Sequence, residues 1–436
     1  MEPSADLMAL DTKVVMSAEV IEAVKTAQDI GTRQYQQFVE GRLNDNVNFY
    51  DSITKNNLPL FKTGSKKTSS KDKMKISNMK SDLHLFSRMY ISCQVREGDL
   101  EAFFEYENHA WPPSLAENNM MRLGNKSDLM RCLEGLVQYP QETPRVDTKI
   151  IDGAGLVHSL DPNKANVVVK TFKDYANLVF VPHVLLHLQS VNRIDVVWDC
   201  YKPDSLRSFT RQCRGDGETL RVADNTGLPR NWNSLLRTDS NKTNLYKFLS
   251  FAINSGNIPT DKVLLTTYEE HVLSSSPVDL SHLQPCTHEE ADYRMMLHMM
   301  DAHQQGSRKI MIHATDTDVL VLAIATTSSL HDCEVWLAFG HGAKFRYIAL
   351  HGIAAHLGRE RSTALLFLHA ISGCDTVSAM CGIGKKTAWE VWRQMPHLDN
   401  LFNRLSNAPI QINEDVDEIE ICSGFIQSDV TVKQSE

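Results

Sequence analysis

From Asp147 onward the sequence predicts an α/β domain: a largely parallel sheet with helices on both faces. Three observations predict it. Short apolar runs of strand length (TKIID, RIDVVWD, KVLLTTY, KIMIHATD and CEVWLAFG) follow one another along the chain. Helical stretches such as NKTNLYKFLSFAI and HEEADYRMMLHMMDAHQQ separate them. Acids stand where these runs stop or where the next helix opens, and in an open α/β sheet the loops at the carboxyl ends of parallel strands converge on one crevice.

The elements before Asp147 are of another kind. Residues 14–41 predict an amphipathic helix, with Val15, Ala18, Ile21, Val24, Ala27 and Ile30 recurring at helical spacing. Residues 62–82 hold seven lysines among serines and read as a solvated linker. A nuclear-localisation or nucleic-acid tract is the alternative reading of that segment. Residues 83–146 read as mainly helical, with NKSDLMRCLEGL as one helix and a turn at Trp111-Pro112-Pro113. No catalytic constellation is visible there.

Composition sets outer bounds. At 436 residues and 42% hydrophobic, the chain is long enough to bury a sizeable core. With 45 Lys and Arg against 54 Asp and Glu, the net charge of -9 excludes a globally basic nucleic-acid binder, so any such binding needs local patches. Nine cysteines without a CxxC pair argue for a reducing compartment rather than a disulfide scaffold. There is no apolar signal run and no segment of membrane-spanning length. The expected protein is intracellular, with the nucleus favoured and no membrane partner.

Seven acids carry the functional reading: Asp152, Asp199, Glu290, Asp292, Asp316, Asp318 and Asp375. Packed together without cations they would repel, and hard ions such as Mg²⁺ or Mn²⁺ relieve that repulsion. Each acid also has a plain structural reading. Asp316 or Asp318 caps a helix, Glu290 and Asp292 answer a helix macrodipole, and Asp152 and Asp199 form loops. Glu289 is an alternative to Glu290. After Asp375, the segment GIGKKTAWEVW has the form of a helix-hairpin-helix turn. Gly382 and Gly384 would let a phosphate approach the backbone, and Lys385 and Lys386 would add charge.

At these residues the chain resembles the flap endonuclease family of structure-specific nucleases with a PIN-like catalytic domain. The resembling motifs are KIIDGAG, VVWDCYKP, EEAD, ATDTD, and SGCD followed by GIGKK, in that order over about residues 147–395. The resemblance implies a PIN-like domain over 147–372, completed by a helix-hairpin-helix element over 373–395. A helical segment (1–61), the linker (62–82) and the helical region (83–146) precede it, and a tail (396–436) follows. It implies that Asp152, Asp199, Glu290 and Asp292 surround one Mg²⁺ or Mn²⁺ ion, with Asp316, Asp318 and Asp375 nearer a second. K⁺ would bind the hairpin. It further implies that Lys202, Arg207, Arg211 and Arg214, in the interval where the family carries a basic arch, grip the phosphate backbone of branched DNA or a single-strand/duplex junction. The last three fall at helical spacing, which equally suits a solvated surface helix.

The sequence departs from the family pattern in several places. Nearly 150 residues precede the first acid, where the family has a glycine-rich start. Cys200 replaces a Gly, Asp292 a Glu, and Thr376 a Tyr. These departures leave three other readings open. A catalytically silent PIN-like binder would keep the fold without chemistry. An RNase H-like nuclease would need fewer acids and no hairpin. Zinc chemistry at Cys286 with His288, or at Cys374 with Cys381, fits no recognised spacing. DNA against RNA, and the protein partners, stay open.

Overall fold

The computed structural model describes residues 18–44, 70–95, 111–117, 120–202, 205 and 220–406. The chain forms two compact units, Met1–Tyr106 and Glu107–Glu436. In the first, helices α1 (Ala18–Lys25) and α2 (Ala27–Val39) take up most of the segment expected to be one helix, with an interruption at Thr26. The third helix, α3 (Ser70–Val95), corrects a prediction, because it runs through the second half of the expected linker. Lys and Met are good helix formers, so a composition too polar to build a core still forms a helix whose described side chains are mostly exposed.

The second unit is α/β. A hairpin of β1 (Ala116–Glu117) and β2 (Met120–Met121) leads into α4 (Lys126–Glu134). The main sheet has seven strands: β3 (Thr148–Asp152), β4 (Arg193–Val197), β5 (Val263–Tyr268), β6 (His271–Ser274), β7 (Lys309–Ala314), β8 (Glu334–Phe339) and β9 (Arg346–Ala349). Their order is β6-β5-β4-β3-β7-β8-β9. The five central strands pair in parallel, and β6 and β9 close the two edges antiparallel. From β3 the chain builds outward through β4 and β5, then crosses back to lay β7 on the other side of β3. The carboxyl ends of β3 and β7 therefore flank a topological switch point, the place where open α/β sheets bind ligands.

Side chains alternate between two cores. Ile150, Ile310, Ile312, Val335 and Leu337 face one core. It is closed by α8 (Ala291–Gln304), α9 (Thr317–Thr327), α10 (Leu350–Ile371), α11 (Lys385–Gln394) and α12 (Leu398–Ser406), together with α4. Ile151, Ile194, Val196, Trp198 and Met311 face the other core, under α6 (Val181–Gln189) and α7 (Asp239–Asn254). Each fully buried Ile, Leu or Val contributes roughly 1.5–3 kcal/mol. That two-sided burial is why these strands read as near-continuous apolar runs. Among the described residues no helix is long and apolar enough to cross a membrane.

Candidate metal centre at the strand ends

Each acid is placed by a simple local device. Asp152 ends β3 and caps the helix α5 (Gly153–Ser159), its Oδ1 accepting from Ala154 N at 2.9 Å. Two glycines make room for this. A Cβ at Gly153 would lie 2.4 Å from the Trp198 ring, and one at Gly155 would lie 2.8 Å from Asp152 Oδ2. Asp199 follows β4 and accepts from Ala291 N (3.0 Å) and the Tyr201 hydroxyl (2.9 Å), which ties it to the start of α8. Glu290 is the N-cap residue of α8, and Asp292 lies in its first turn. Asp316 caps α9, accepting from Asp318 N at 3.0 Å. Asp375 lies in the loop after α10 and reaches the group through Lys126.

The structure brings the acids together. Ligand oxygens of Asp292, Asp316 and Asp318 all lie within 4.8 Å of one another. Asp152 feels the charges of Asp199 and Asp316, and Asp292 feels Asp316, Asp152, Asp199 and Asp318. Glu289 and Glu290 both line a cleft of about 620 Å³ alongside Asp292, Asp318 and His369. Both glutamates therefore stay candidates.

A group that sequence reasoning missed sits in the middle. Lys126, at the start of α4, places Nζ 2.8 Å from Asp318 Oδ2, 2.8 Å from Asp375 Oδ1 and 3.4 Å from Asp316 Oδ1. The chain sets it there by docking the segment before α4 onto the loop after α10. Ala379 N donates to Arg122 O (2.8 Å) and Cys381 N to Ser114 O (2.7 Å). A Cβ at Gly124 would meet the carbonyls of Ser372 and Gly373 at 2.8 Å. Lys126 is 190 residues from Asp316, and no local pattern signals that separation.

The lysine divides the cluster electrostatically. Burial raises the Asp318 pKa, but hydrogen bonds from His369 and Lys126 outweigh it and hold the group down to about 2. Burial likewise opposes the Lys126 ammonium, yet Asp318, Asp375 and Asp316 raise its pKa above the ordinary lysine value. Among the described residues, Asp152 and Asp292 have no such partner. Burial first, and then neighbouring carboxylates, push them up to about 7 and about 8. Carboxylates raised this far tend to keep their protons near neutral pH, because no described group of the protein compensates the charge they would take on. An all-oxygen donor set in that condition fits a hard divalent cation.

The expected hairpin lysine is corrected. Lys385 is 1% exposed, and its Nζ donates to His369 O (2.7 Å), Ser372 Oγ (3.2 Å) and His369 Nδ1 (3.3 Å). Burial lowers its pKa to about 8. It cannot reach a phosphate. Instead it fixes the His369 tautomer, so that Nε2–H donates to Asp318 Oδ1 at 3.0 Å. Lys386 is exposed and lies 3.8 Å from Glu390. Gly382 (φ 77°) and Gly384 have open space where a Cβ would be, and Gly384 is the N-cap of α11. Lys202 is part-buried, with Nζ 3.8 Å from Glu270. Arg207, Arg211 and Arg214 lie outside the described residues. The imagined Cys286–His288 and Cys374–Cys381 pairs gather no third ligand among the described residues.

No protein-family model matches the chain, and no curated protein matches it by sequence. Among solved structures, the catalytic core of Rad2 in complex with DNA substrate aligns over 65% of this chain and 70% of that one, at 14% identity and a TM-score of 0.30. A likeness at that level adds no weight to a reading of fold or activity, so the functional argument rests on the site itself.

Proposed function

We propose that the protein is a divalent-metal-dependent, structure-specific nuclease of flap endonuclease type, with a PIN-like domain, that hydrolyses phosphodiester bonds of DNA. RNA is the substrate class to be tested beside it. The observation that carries the reading is the gathering of Asp292, Asp316 and Asp318, with ligand oxygens within 4.8 Å of one another at the sheet's switch point; the raised pKa values of Asp152 and Asp292 beside them agree with it. Asp152, Asp199, Asp292 and Asp316 would hold a Mg²⁺ or Mn²⁺ ion, with Glu290 at the edge of the cleft. Such an ion lowers the pKa of water and stabilises charge on a phosphoryl oxygen. Asp318 is held ionised and oriented by His369. Asp375 anchors Lys126 at the mouth of the site. The family resemblance implies two divalent cations, and the Lys126 ammonium supplies a single positive charge beside Asp316, Asp318 and Asp375 from the protein itself.

Substrate strands would reach the site over the surface carrying Lys202, Lys386 and the glycines Gly382 and Gly384. With a net charge of -9, affinity must come from such local groups and should fall steeply with salt. The test is incubation of the full chain with labelled flap, hairpin and single-stranded DNA and RNA in Mg²⁺ or Mn²⁺. Cleavage that disappears with EDTA and in Asp292→Asn supports the proposal.

A second reading, the catalytically silent PIN-like binder, is favoured by Lys126, which already neutralises part of the cluster. Nucleic-acid binding with no cleavage under any of these conditions would establish that reading instead. The RNase H-like alternative does not call for Asp375, which here shares Lys126 with Asp316 and Asp318. On that alternative, Asp375→Asn leaves cleavage intact.

A further inference from the structure

On the sheet face opposite the helices that carry Asp292 and Asp318, a cavity of about 610 Å³ is lined by His183, His187, His313, Lys149, Arg145 and Tyr347 among others. The proposed nuclease chemistry uses none of these six, although Asp152, at the end of β3, also lines the cavity. His183 and His187 are one helical turn apart on α6, so both rings project from one face. His313 comes from β7, on the same side of the sheet as Met311. We propose that His183, His187 and His313 form a binding site for a borderline transition-metal ion of the Zn²⁺ class, with its remaining position open to the cavity.

The spacing of His183 and His187 and the unpaired nitrogen of His313 support the site. Four ligands at a zinc–nitrogen distance of about 2.0–2.1 Å around a tetrahedron stand about 3.3 Å apart, and their imidazole centroids about 5 Å apart. His183 Nε2 and His187 Nε2 are 3.3 Å apart. The ring centroids of His183 and His187 are 4.9 Å apart, and those of His187 and His313 are 5.4 Å apart. A shared N–H between His183 and His187 accounts for the first distance equally well. It leaves His313 unexplained, because His313 Nε2 is buried with no hydrogen-bond partner. A buried imidazole nitrogen left unpaired is unfavourable, and a metal–nitrogen bond satisfies it.

The surroundings suit neutral ligands. Burial lowers the pKa of His183, of His187 to about 4 and of His313 to about 3, so the rings keep their lone pairs at neutral pH. In the arrangement seen, Lys149 Nζ lies 3.3 Å from His187 Nδ1 and 2.9 Å from Ser190 Oγ. Metal binding moves the His187 proton to Nδ1, and Lys149 then turns to Ser190. Among the described residues, only the acid trio has all its ligand atoms within 4.8 Å of one another. His313 therefore has to turn toward the other two rings as the ion enters.

The experiment titrates the tag-free full chain with Co²⁺, a spectroscopic stand-in for Zn²⁺, and follows visible absorption. The expected result is an intense tetrahedral-type band that accounts for one Co²⁺ per chain, displaced by Zn²⁺ and unaffected by millimolar Mg²⁺, which occupies the carboxylate cluster instead. His183→Gln and His313→Gln, each checked for unchanged circular dichroism, should weaken Co²⁺ at least tenfold. Asp292→Asn should leave the band unchanged, which separates this site from the acid cluster. No band in the wild type, a band that survives both histidine variants, or one lost in Asp292→Asn overturns the proposal.

Discussion

One strand and one helix carry two charge clusters of opposite kinds at their opposite ends. At the start of β4, Arg193 binds Asp195 (2.6 Å) and Asp301 (2.7 Å), and Asp195 accepts from His298 Nδ1 at 2.6 Å. All four are buried, with the acids and His298 at 3% side-chain exposure or less. Burial alone would raise the Asp195 pKa, but Arg193 reverses the shift and holds it low. Beyond the other end of β4, Asp199 meets Asp292 in the first turn of α8, with Asp152 beside them, and the pKa values of Asp152 and Asp292 move up instead. The same residue types, a few residues away on the same elements, are compensated in one place and, among the described residues, left without a counter-ion in the other. A buried charge with its counter-ion supplied fixes the fold. A buried carboxylate without one resists ionisation until a cation is supplied.

The comparison can be broken at either end. The largest effect belongs to the compensated cluster: Asp195→Ala, leaving Arg193 buried and half-paired, should cost about 3–5 kcal/mol in denaturant unfolding. A smaller loss, about 1–3 kcal/mol, is expected for Lys385→Met, which strips the donor from His369 O and Ser372 Oγ. Its nucleic-acid affinity should keep the wild-type salt slope, because the amine is internal.

The uncompensated cluster should respond with the opposite sign. In metal-free protein, Asp292→Asn should raise stability at pH 8 by on the order of 1–2 kcal/mol, discounted for the group's partial exposure. The sign follows from the raised folded pKa. The unfolded carboxyl ionises near 3.8 and the folded one near 8, so wild-type stability is full below about pH 4 and is lost as pH rises toward 8. Thermal melts at both pH values check this, and the mutational difference should vanish at pH 4. Asp318 runs the other way. Its pKa of about 2 contributes stability above pH 4 that is lost as the pH falls toward 2. Lys126→Met should reduce that contribution. The smallest effect is reserved for Lys386→Ala, whose side chain is 69% exposed. It should change unfolding free energy by no more than about 0.5 kcal/mol.

The two clusters also differ in how far the sequence discloses them. The five parallel strands are legible because burial on both faces demands unbroken apolar runs, as in RIDVV and KIMIHA. The edge strands His271–Ser274 and Arg346–Ala349 are not, since a short antiparallel edge carries no such demand. Asp152, Asp199, Asp292, Asp316 and Asp318 are legible because strand ends and helix starts fix where their side chains go. Lys126 is invisible because its place depends on a loop docking more than two hundred residues downstream. Lys385 is misread for a related reason: a Gly-x-Gly-Lys spacing says where a helix starts, not which way its first side chain turns. The helix Ser70–Val95 is missed because composition reports whether a segment can build a core, not whether its backbone coils.

On the proposed function, Asp152 and Asp292 belong to a site completed by a divalent cation. The direct measurement is calorimetric titration of the metal-free 436-residue chain with Mn²⁺ at pH 7.5, beside Asp292→Asn. Saturable binding by the wild type, weakened at least tenfold in the variant, is the predicted result. No binding by the wild type, or equal binding by both proteins, would contradict it.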